Sequence, residues 1–162
     1  ISGNINIGGF ATVSELRVTG DATFDGNLTI AKTLSTKNIL VSGHITTAGE
    51  VPDVEIITPT ITDPNTNQPQ ANPTIAIDGN DATGTITITT TNGLPLQPGD
   101  LLKINFKSPY SKKPKVFLSP SNTDSIDKNI FREAQNGYLI IKLVEGQLDP
   151  GKTYSFDYYV IE

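Results

Sequence analysis

The 162-residue sequence contains no cysteine, methionine or tryptophan and a single histidine, His44. Without cysteine the chain forms no disulfide and offers no thiolate metal ligand, and a metal cluster of histidine and cysteine is impossible. No apolar run approaches the roughly 20 residues of a membrane-spanning helix. No nucleophile motif accompanies His44, so we interpret it as a surface residue. The sequence therefore predicts no catalytic residue, metal, cofactor or membrane insertion, and we expect the protein not to be an enzyme.

Charged residues make up only 18% of the sequence, and the formal net charge is −5. The one basic cluster consists of Lys112, Lys113 and Lys115 around Pro114. A nucleic-acid-binding protein normally carries a wide basic face, because several cations must neutralise the phosphate backbone. We therefore interpret the cluster as a solvated turn and expect no nucleic-acid partner. The lack of readily oxidised side chains favours a place outside the cell.

The first fifty residues contain an internal repeat with an offset of 23 residues. The segment Gly3–Ile7 returns as Gly26–Ile30, and the segment Leu16–Thr23 returns as Ile39–Thr46. Self-similarity at a period of this length indicates a stacked architecture. We therefore predict that residues 1–48 form a repetitive β shaft of two 23-residue repeats, intertwined or β-helical.

Within each repeat the apolar residues and the glycines occupy alternate positions, which is the side-chain period of a strand. Glycines on that face indicate that another backbone comes close. A segment of this size with one apolar face is marginal alone, so we expect parallel copies, most simply three, to bury it. The predicted oligomer core consists of Leu16, Val18, Gly20, Phe24, Gly26, Leu28, Ile30, Ile39, Val41, Gly43 and Ile45. The alternative is that residues 1–50 form one sheet of a monomeric sandwich.

The remainder divides into a proline-rich neck, residues 49–73, and a head, residues 74–162. In the neck, Val54, Ile56 and Ile57, with Ile61, could add a short strand. In the head, turn sequences separate runs with strand periodicity, which predicts a jelly-roll-like β-sandwich and makes the whole chain all-β. The candidate strands are Thr74–Asp78, Thr83–Thr91, Leu101–Lys107, Lys115–Ser119, Tyr138–Val144 and Thr153–Ile161. The predicted core residues are Ile104, Phe106, Tyr154, Phe156, Tyr158 and Val160.

Two sets of loop residues are candidates for binding. The turn Asp78-Gly79-Asn80-Asp81 carries oxygen ligands, but it lacks the alternating ligands and bidentate glutamate of a calcium loop, so we predict a turn without metal. Tyr110 follows a proline in a turn, and an exposed tyrosine there suits contact with a sugar or a protein. The predicted receptor contacts are Tyr110, Lys112, Lys113 and Asn122.

Three segments resemble the terminal modules of phage tail-fibre proteins and related bacterial surface proteins. They are residues 79–89 (GNDATGTITIT), residues 114–122 (PKVFLSPSN) and residues 151–161 (GKTYSFDYYVI). In such proteins a similar ending follows glycine-rich strand repeats much like residues 1–48. The resemblance implies a homo-oligomeric, extracellular fibre component of a virion tail or cell surface, whose head caps the oligomer and contacts a glycan or protein receptor.

Two other functions stay open. A β-sandwich is also a common scaffold for carbohydrate-binding, lectin-like modules, although fold alone does not establish that function. The chain could also be the subunit of a polymeric bacterial surface filament, in which one subunit extends the sheet edge of the next.

Overall fold

The structure, a computed structural model, describes residues 8–58 and 73–162. Contacts divide the chain into two units, residues 1–43 and residues 44–162. Every strand of the described residues lies in the second unit, which we call the C-terminal unit. The strands are β1 (Asp53–Ile56), β2 (Pro73–Gly79), β3 (Thr83–Thr90), β4 (Gly99–Asn105), β5 (Lys115–Pro120), β6 (Asn129–Ala134), β7 (Tyr138–Glu145) and β8 (Thr153–Ile161). A short 3-10 turn, Thr123–Ser125, joins β5 to β6.

The eight strands form two antiparallel sheets of four strands each. Sheet 1 has the order β1-β4-β7-β6, and sheet 2 has the order β2-β3-β8-β5. Asn80 in the β2–β3 connection and Asn136-Gly137 in the β6–β7 connection supply the turn chemistry that joins neighbouring antiparallel strands. The prediction of an all-β chain is confirmed, whereas a jelly-roll topology stays a prediction.

One hydrophobic core is built from the inner faces of both sheets. The alternation along β8 buries every second residue, and Tyr154, Phe156, Tyr158 and Val160 are each at most 2% exposed. From sheet 1, Ile104 and Leu139 lie opposite each other and are fully buried in the same cluster. All six predicted core residues, including Phe106, belong to this core.

The six candidate strands are all formed, with ends that differ by at most two residues from those predicted. Strand β1 forms in the predicted neck, where Val54 pairs with Ile104 of β4. The neck residues 59–72, which include Ile61, lie outside the described residues. Strand β6 was not predicted, because its charged residues Arg132 and Glu133 interrupt the apolar alternation.

The predicted shaft is not seen in the single chain. The described residues 8–43 contain no strand, and all of their side chains are exposed. A strand needs a neighbour to accept and donate its backbone hydrogen bonds, and an apolar face needs a cover, and this stretch of one chain supplies neither. The first copy of one repeated segment, Gly3–Ile7, lies outside the described residues.

Candidate functional site

The β2–β3 turn is organised by the buried side chain of Asn80, which is 7% exposed. Its Oδ1 accepts hydrogen bonds from the backbone N–H groups of Ala82 (2.8 Å) and Thr83 (3.2 Å). Its Nδ2 donates to the Thr47 hydroxyl at 3.2 Å. An asparagine that satisfies its own turn in this way fixes the conformation of the turn. The turn is therefore a structured platform on the C-terminal unit.

Asp81, the next residue, ties this turn to the loop that follows β4. Its carboxylate oxygens accept from the backbone N–H groups of Lys107 (3.0 Å) and Ser108 (2.7 Å). Its carbonyl accepts from the Tyr110 hydroxyl at 2.8 Å. In the described part of the chain, no group of three or more acidic or histidine side chains could hold a metal ion. Both carboxylate oxygens of Asp81 thus serve a hydrogen-bonded turn.

Two tyrosine hydroxyls act as donors beside this turn. Tyr158 donates to the carbonyl of Asn80 at 2.5 Å, and burial raises the pKa of Tyr158 to about 12. Burial, together with the nearby charge of Asp81, also raises the pKa of Tyr110 above its usual value. Both hydroxyls therefore keep their protons at neutral pH and hold the two backbone carbonyls in place.

We expect Asp81→Ala to lower the free energy of unfolding by about 1–3 kcal/mol, because two backbone N–H groups lose a charged acceptor. Asp78→Ala is the matched control, since Asp78 is exposed on β2 three residues earlier, and it should be close to neutral. Urea denaturation followed by circular dichroism measures both changes. A melting temperature that falls in a chelator and returns with calcium would show that the turn holds a metal instead.

A cleft of about 500 Å³ lies beside the turn. Tyr110 forms part of its wall and is half-buried, with its ring in edge-to-face contact with Phe106 at 5.1 Å. The ammonium group of Lys107 binds Asp53 at 2.6 Å. Glu50, another charged residue of the lining, forms no hydrogen bond or ion pair within the described residues. The lining residues are Ala48, Gly49, Glu50, Asn80, Asp81, Ala82, Lys107, Ser108 and Tyr110.

The other predicted receptor contacts lie away from this cleft. Asn122 caps the 3-10 turn: its Oδ1 accepts from the Ser125 N–H, and its Nδ2 donates to the Thr153 carbonyl at 2.7 Å. Ser111, next to Tyr110, binds Glu162 at the other end of β8. Nine residues of extended chain span about 30 Å, so Tyr110 and Asn122 do not form one cluster.

Lys112 and Lys113 are exposed and lie immediately before β5. Pro114, which follows them, is buried and anchors the start of the strand. The two lysines therefore flank the edge of sheet 2 and take no part in the lining of the cleft. His44 is exposed, as is expected of a surface residue.

The residues of the predicted oligomer core are exposed in the single chain. A Cβ atom added at Gly20, Gly26 or Gly43 would meet no atom within 4 Å. The apolar members of the set are exposed as follows: Leu16 73%, Val18 51%, Phe24 58%, Leu28 57%, Ile30 41%, Ile39 66%, Val41 44% and Ile45 79%. Exposed large apolar side chains mark an interaction site when they gather in one patch, and three positions of the set return after 23 residues, as Leu16 and Ile39, Val18 and Val41, and Gly20 and Gly43. We call this set the repeat face.

Sequence reasoning missed several residues of these surfaces. It placed Asp81 in a turn without metal, but it could not find the pairing of Asp81 with a loop 26 residues further along the chain. Sequence reasoning also did not select Phe117 and Phe131, whose side chains are 55% and 50% exposed on edge strands. The outward parity of Phe117 in β5 was a usable signal, because Val116 and Leu118 alternate with it.

No protein-family model, curated protein or solved structure matches this chain. No helix in the described residues has the length and apolar character to cross a membrane. The fold defines the class: an all-β protein with two antiparallel sheets and a shared core.

Proposed function

We propose that the protein is a structural fibre component that self-associates through the repeat face, most simply as a trimer of parallel chains. The observation that carries the proposal is the repeat face itself: eight apolar side chains, each at least 41% exposed, lie at alternate positions within each 23-residue repeat. Fully burying a side chain of this kind contributes about 1.5–3 kcal/mol, so covering them favours association strongly. The resemblance to tail-fibre and surface-fibre proteins supports the same function.

The glycines explain how the chains would approach. Gly20, Gly26 and Gly43 share the parity of the apolar residues, and the space over each is empty in the single chain. Three parallel copies would bring backbones together at these positions and supply the missing strand partners at the same time. Residues 1–48 would then form the shaft, and the two sheets of the C-terminal unit would cap it.

In this proposal the C-terminal unit also carries the receptor contact. The cleft beside Tyr110 combines an aromatic wall with the carboxylate of Glu50 and the Ser108 hydroxyl, a combination that suits a polar ligand such as a glycan. A lectin-like function would rest on this cleft alone, whereas the fibre function also accounts for the repeat face. The place of action is extracellular, on a virion tail or a cell surface.

Solution mass tests the proposal directly. We expect light scattering at micromolar concentration to give a multiple of the 17.3 kDa chain mass, with three chains as the simplest value. A mass of 17.3 kDa together with one cooperative melt would contradict it, because the repeat face would then stay uncovered in a stable monomer. Negative-stain images should show elongated particles with a head at one end.

A further inference from the structure

The C-terminal unit has two open sides, each formed by one edge strand of each sheet. Strands β1 and β2 are edge strands of the two sheets on one side, and strands β6 and β5 are the edge strands on the other. The two edge strands of each side contact each other across the unit. An edge strand offers unpaired groups to a neighbour, so each open side is a potential interface.

One open side is basic. Residues 111–121 contain three lysines and no acidic residue, and Lys113 and Lys115 form no ion pair within the described residues. Arg132 of β6 reaches across the gap between the sheets, where its Nε donates to the carbonyl of Val116 on β5. The one acid of β6, Glu133, pairs with Lys142 at 2.8 Å, and the cations of this side, Lys113, Lys115 and Arg132, outnumber it. We call this surface the basic side.

The opposite open side is acidic. Strand β1 contains Asp53 and Glu55 but no lysine or arginine, and β2 adds Asp78. Lysines of the neighbouring chain segments lie within 4 Å of Asp53 and Glu55, yet these two side chains remain 71% and 59% exposed. Exposed pairs of this kind are weak and are easily exchanged for other partners. We call this surface the acidic side.

Both sides also expose large apolar side chains next to their charges. On the basic side, Phe117 and Phe131 are 55% and 50% exposed beside a groove of about 430 Å³. On the acidic side, Val51 and Ile56 are 51% and 49% exposed. Aromatic and aliphatic residues surrounded by charge are typical of protein interfaces, in which apolar contact supplies affinity and charge sets register.

We propose that the basic side of one copy of this chain docks against the acidic side of a second copy, in a head-to-tail contact between C-terminal units. The inference builds on the proposed self-association and adds a second interface to it. When each copy joins its basic side to the acidic side of the next, the copies form a closed ring if the rotation from one copy to the next is a whole fraction of a turn. A ring of three units would match a three-chain shaft.

The contact uses side chains and not an added strand. The outward edge of β5 is closed to strand pairing at two points: the carbonyl of Val116 is already an acceptor for Arg132, and Pro120 has no N–H group. An inward-pointing charge such as Arg132 is a known means of preventing edge-to-edge pairing of sheets. This distinguishes the proposed contact from the strand-extended filament.

Cross-linking in the full-length, naturally cysteine-free chain tests the contact. Ala76→Cys lies on the exposed face of β2 on the acidic side, and Ser119→Cys lies on the exposed face of β5 on the basic side. With a short bis-maleimide that cannot span the roughly 14 Å between β2 and β5 within one chain, the double variant at micromolar concentration should form covalent oligomers on denaturing gels, whereas each single variant should stay monomeric. Efficient dimers from Ser119→Cys alone would overturn the proposal, since they require like sides to meet. A double variant without cross-links would also overturn it.

Charge reversal supplies the second arm. In the double-cysteine chain, Lys113→Glu with Lys115→Glu should lower the cross-linked fraction at least several-fold. Adding Asp53→Lys with Glu55→Lys to the same chain should restore it, because the two sides become complementary again. Lys152→Glu is the control, since Lys152 is an exposed lysine that lies outside the four edge strands and is already paired with Asp124, and it should change the cross-linked fraction little. The charge pairing would be contradicted if Lys152→Glu lowered the cross-linked fraction as much as the reversal of Lys113 and Lys115 did. It would also be contradicted if the substitutions at Asp53 and Glu55 did not restore that fraction.

The two proposals fail separately. If the parent protein is an oligomer and the double-cysteine chain does not cross-link, the repeat face associates and the contact between sides is absent. If the parent protein is a monomer by light scattering while cross-linking still rises with protein concentration, the contact between sides exists and the repeat-face proposal fails.

Discussion

Ile141→Ala should lower the free energy of unfolding of the C-terminal unit by about 2–5 kcal/mol, the cost of lost burial plus a residual cavity. Ile141 is fully buried at the centre of β7, and β4 and β6 pair with it from the two sides. Neither neighbouring strand can move in to fill the gap without losing its own hydrogen-bond register. Chemical denaturation, read by tyrosine fluorescence, measures the change.

Ile140→Ala is the matched control, because it removes the same atoms from the adjacent residue. Ile140 lies on the outer face of sheet 1 and is only partly buried, so its loss should cost about 1 kcal/mol or less. The ratio of the two costs therefore measures which face of sheet 1 meets the core. Equal costs would mean that both faces of the sheet are covered, and a larger cost for Ile140 would invert the assignment of inner and outer faces.

The sequence predicted this part of the fold well because period-two alternation and turn chemistry agree there. Strand β8 alternates polar and aromatic residues from Thr153 to Tyr158, and its predicted ends, Thr153 and Ile161, match the structure. Strand β6 was not predicted, because its residues do not follow the apolar alternation. Arg132 occupies a core-side position opposite Ile141, while the apolar Phe131 faces outward. Its pairing with β7 overrides the local pattern, as tertiary context often does for strands.

The loop contacts show where sequence reasoning stops. The capping role of Asn122 could have been read locally, since an asparagine before Thr-Asp-Ser is a usual cap of a helical turn. The hydrogen bonds between Asp81 and the loop at Lys107 and Ser108 could not have been predicted from the local sequence, because only the folded sheets bring these segments together. For the same reason Tyr110 and Asn122, close in sequence terms, lie at opposite ends of β8.

The largest effect on assembly is expected from Gly43→Val. In the single chain a Cβ atom at Gly43 would touch nothing within 4 Å, so the substitution would be harmless to a monomer. In an assembly where Gly43 lies against a neighbouring backbone, a branched side chain overpacks the contact at a cost of about 1–3 kcal/mol per site. In a trimer that cost recurs three times around one axis. We therefore expect Gly43→Val to shift the mass from oligomer towards monomer.

Ser42→Val is the matched control, because it adds a branched apolar side chain one residue away on the opposite strand parity. It should leave both the oligomer mass and the melting temperature nearly unchanged, as surface substitutions usually do. Near-ultraviolet circular dichroism then reports separately on the C-terminal unit, whose core contains Tyr154, Phe156 and Tyr158. Loss of the oligomer with that signal intact would locate the damage in the repeat face. If the two substitutions had equal effects, the assignment of Gly43 to the buried face and Ser42 to the solvated face would be wrong. A larger loss of oligomer for Ser42→Val would mean that the residues we interpret as solvated form the buried face.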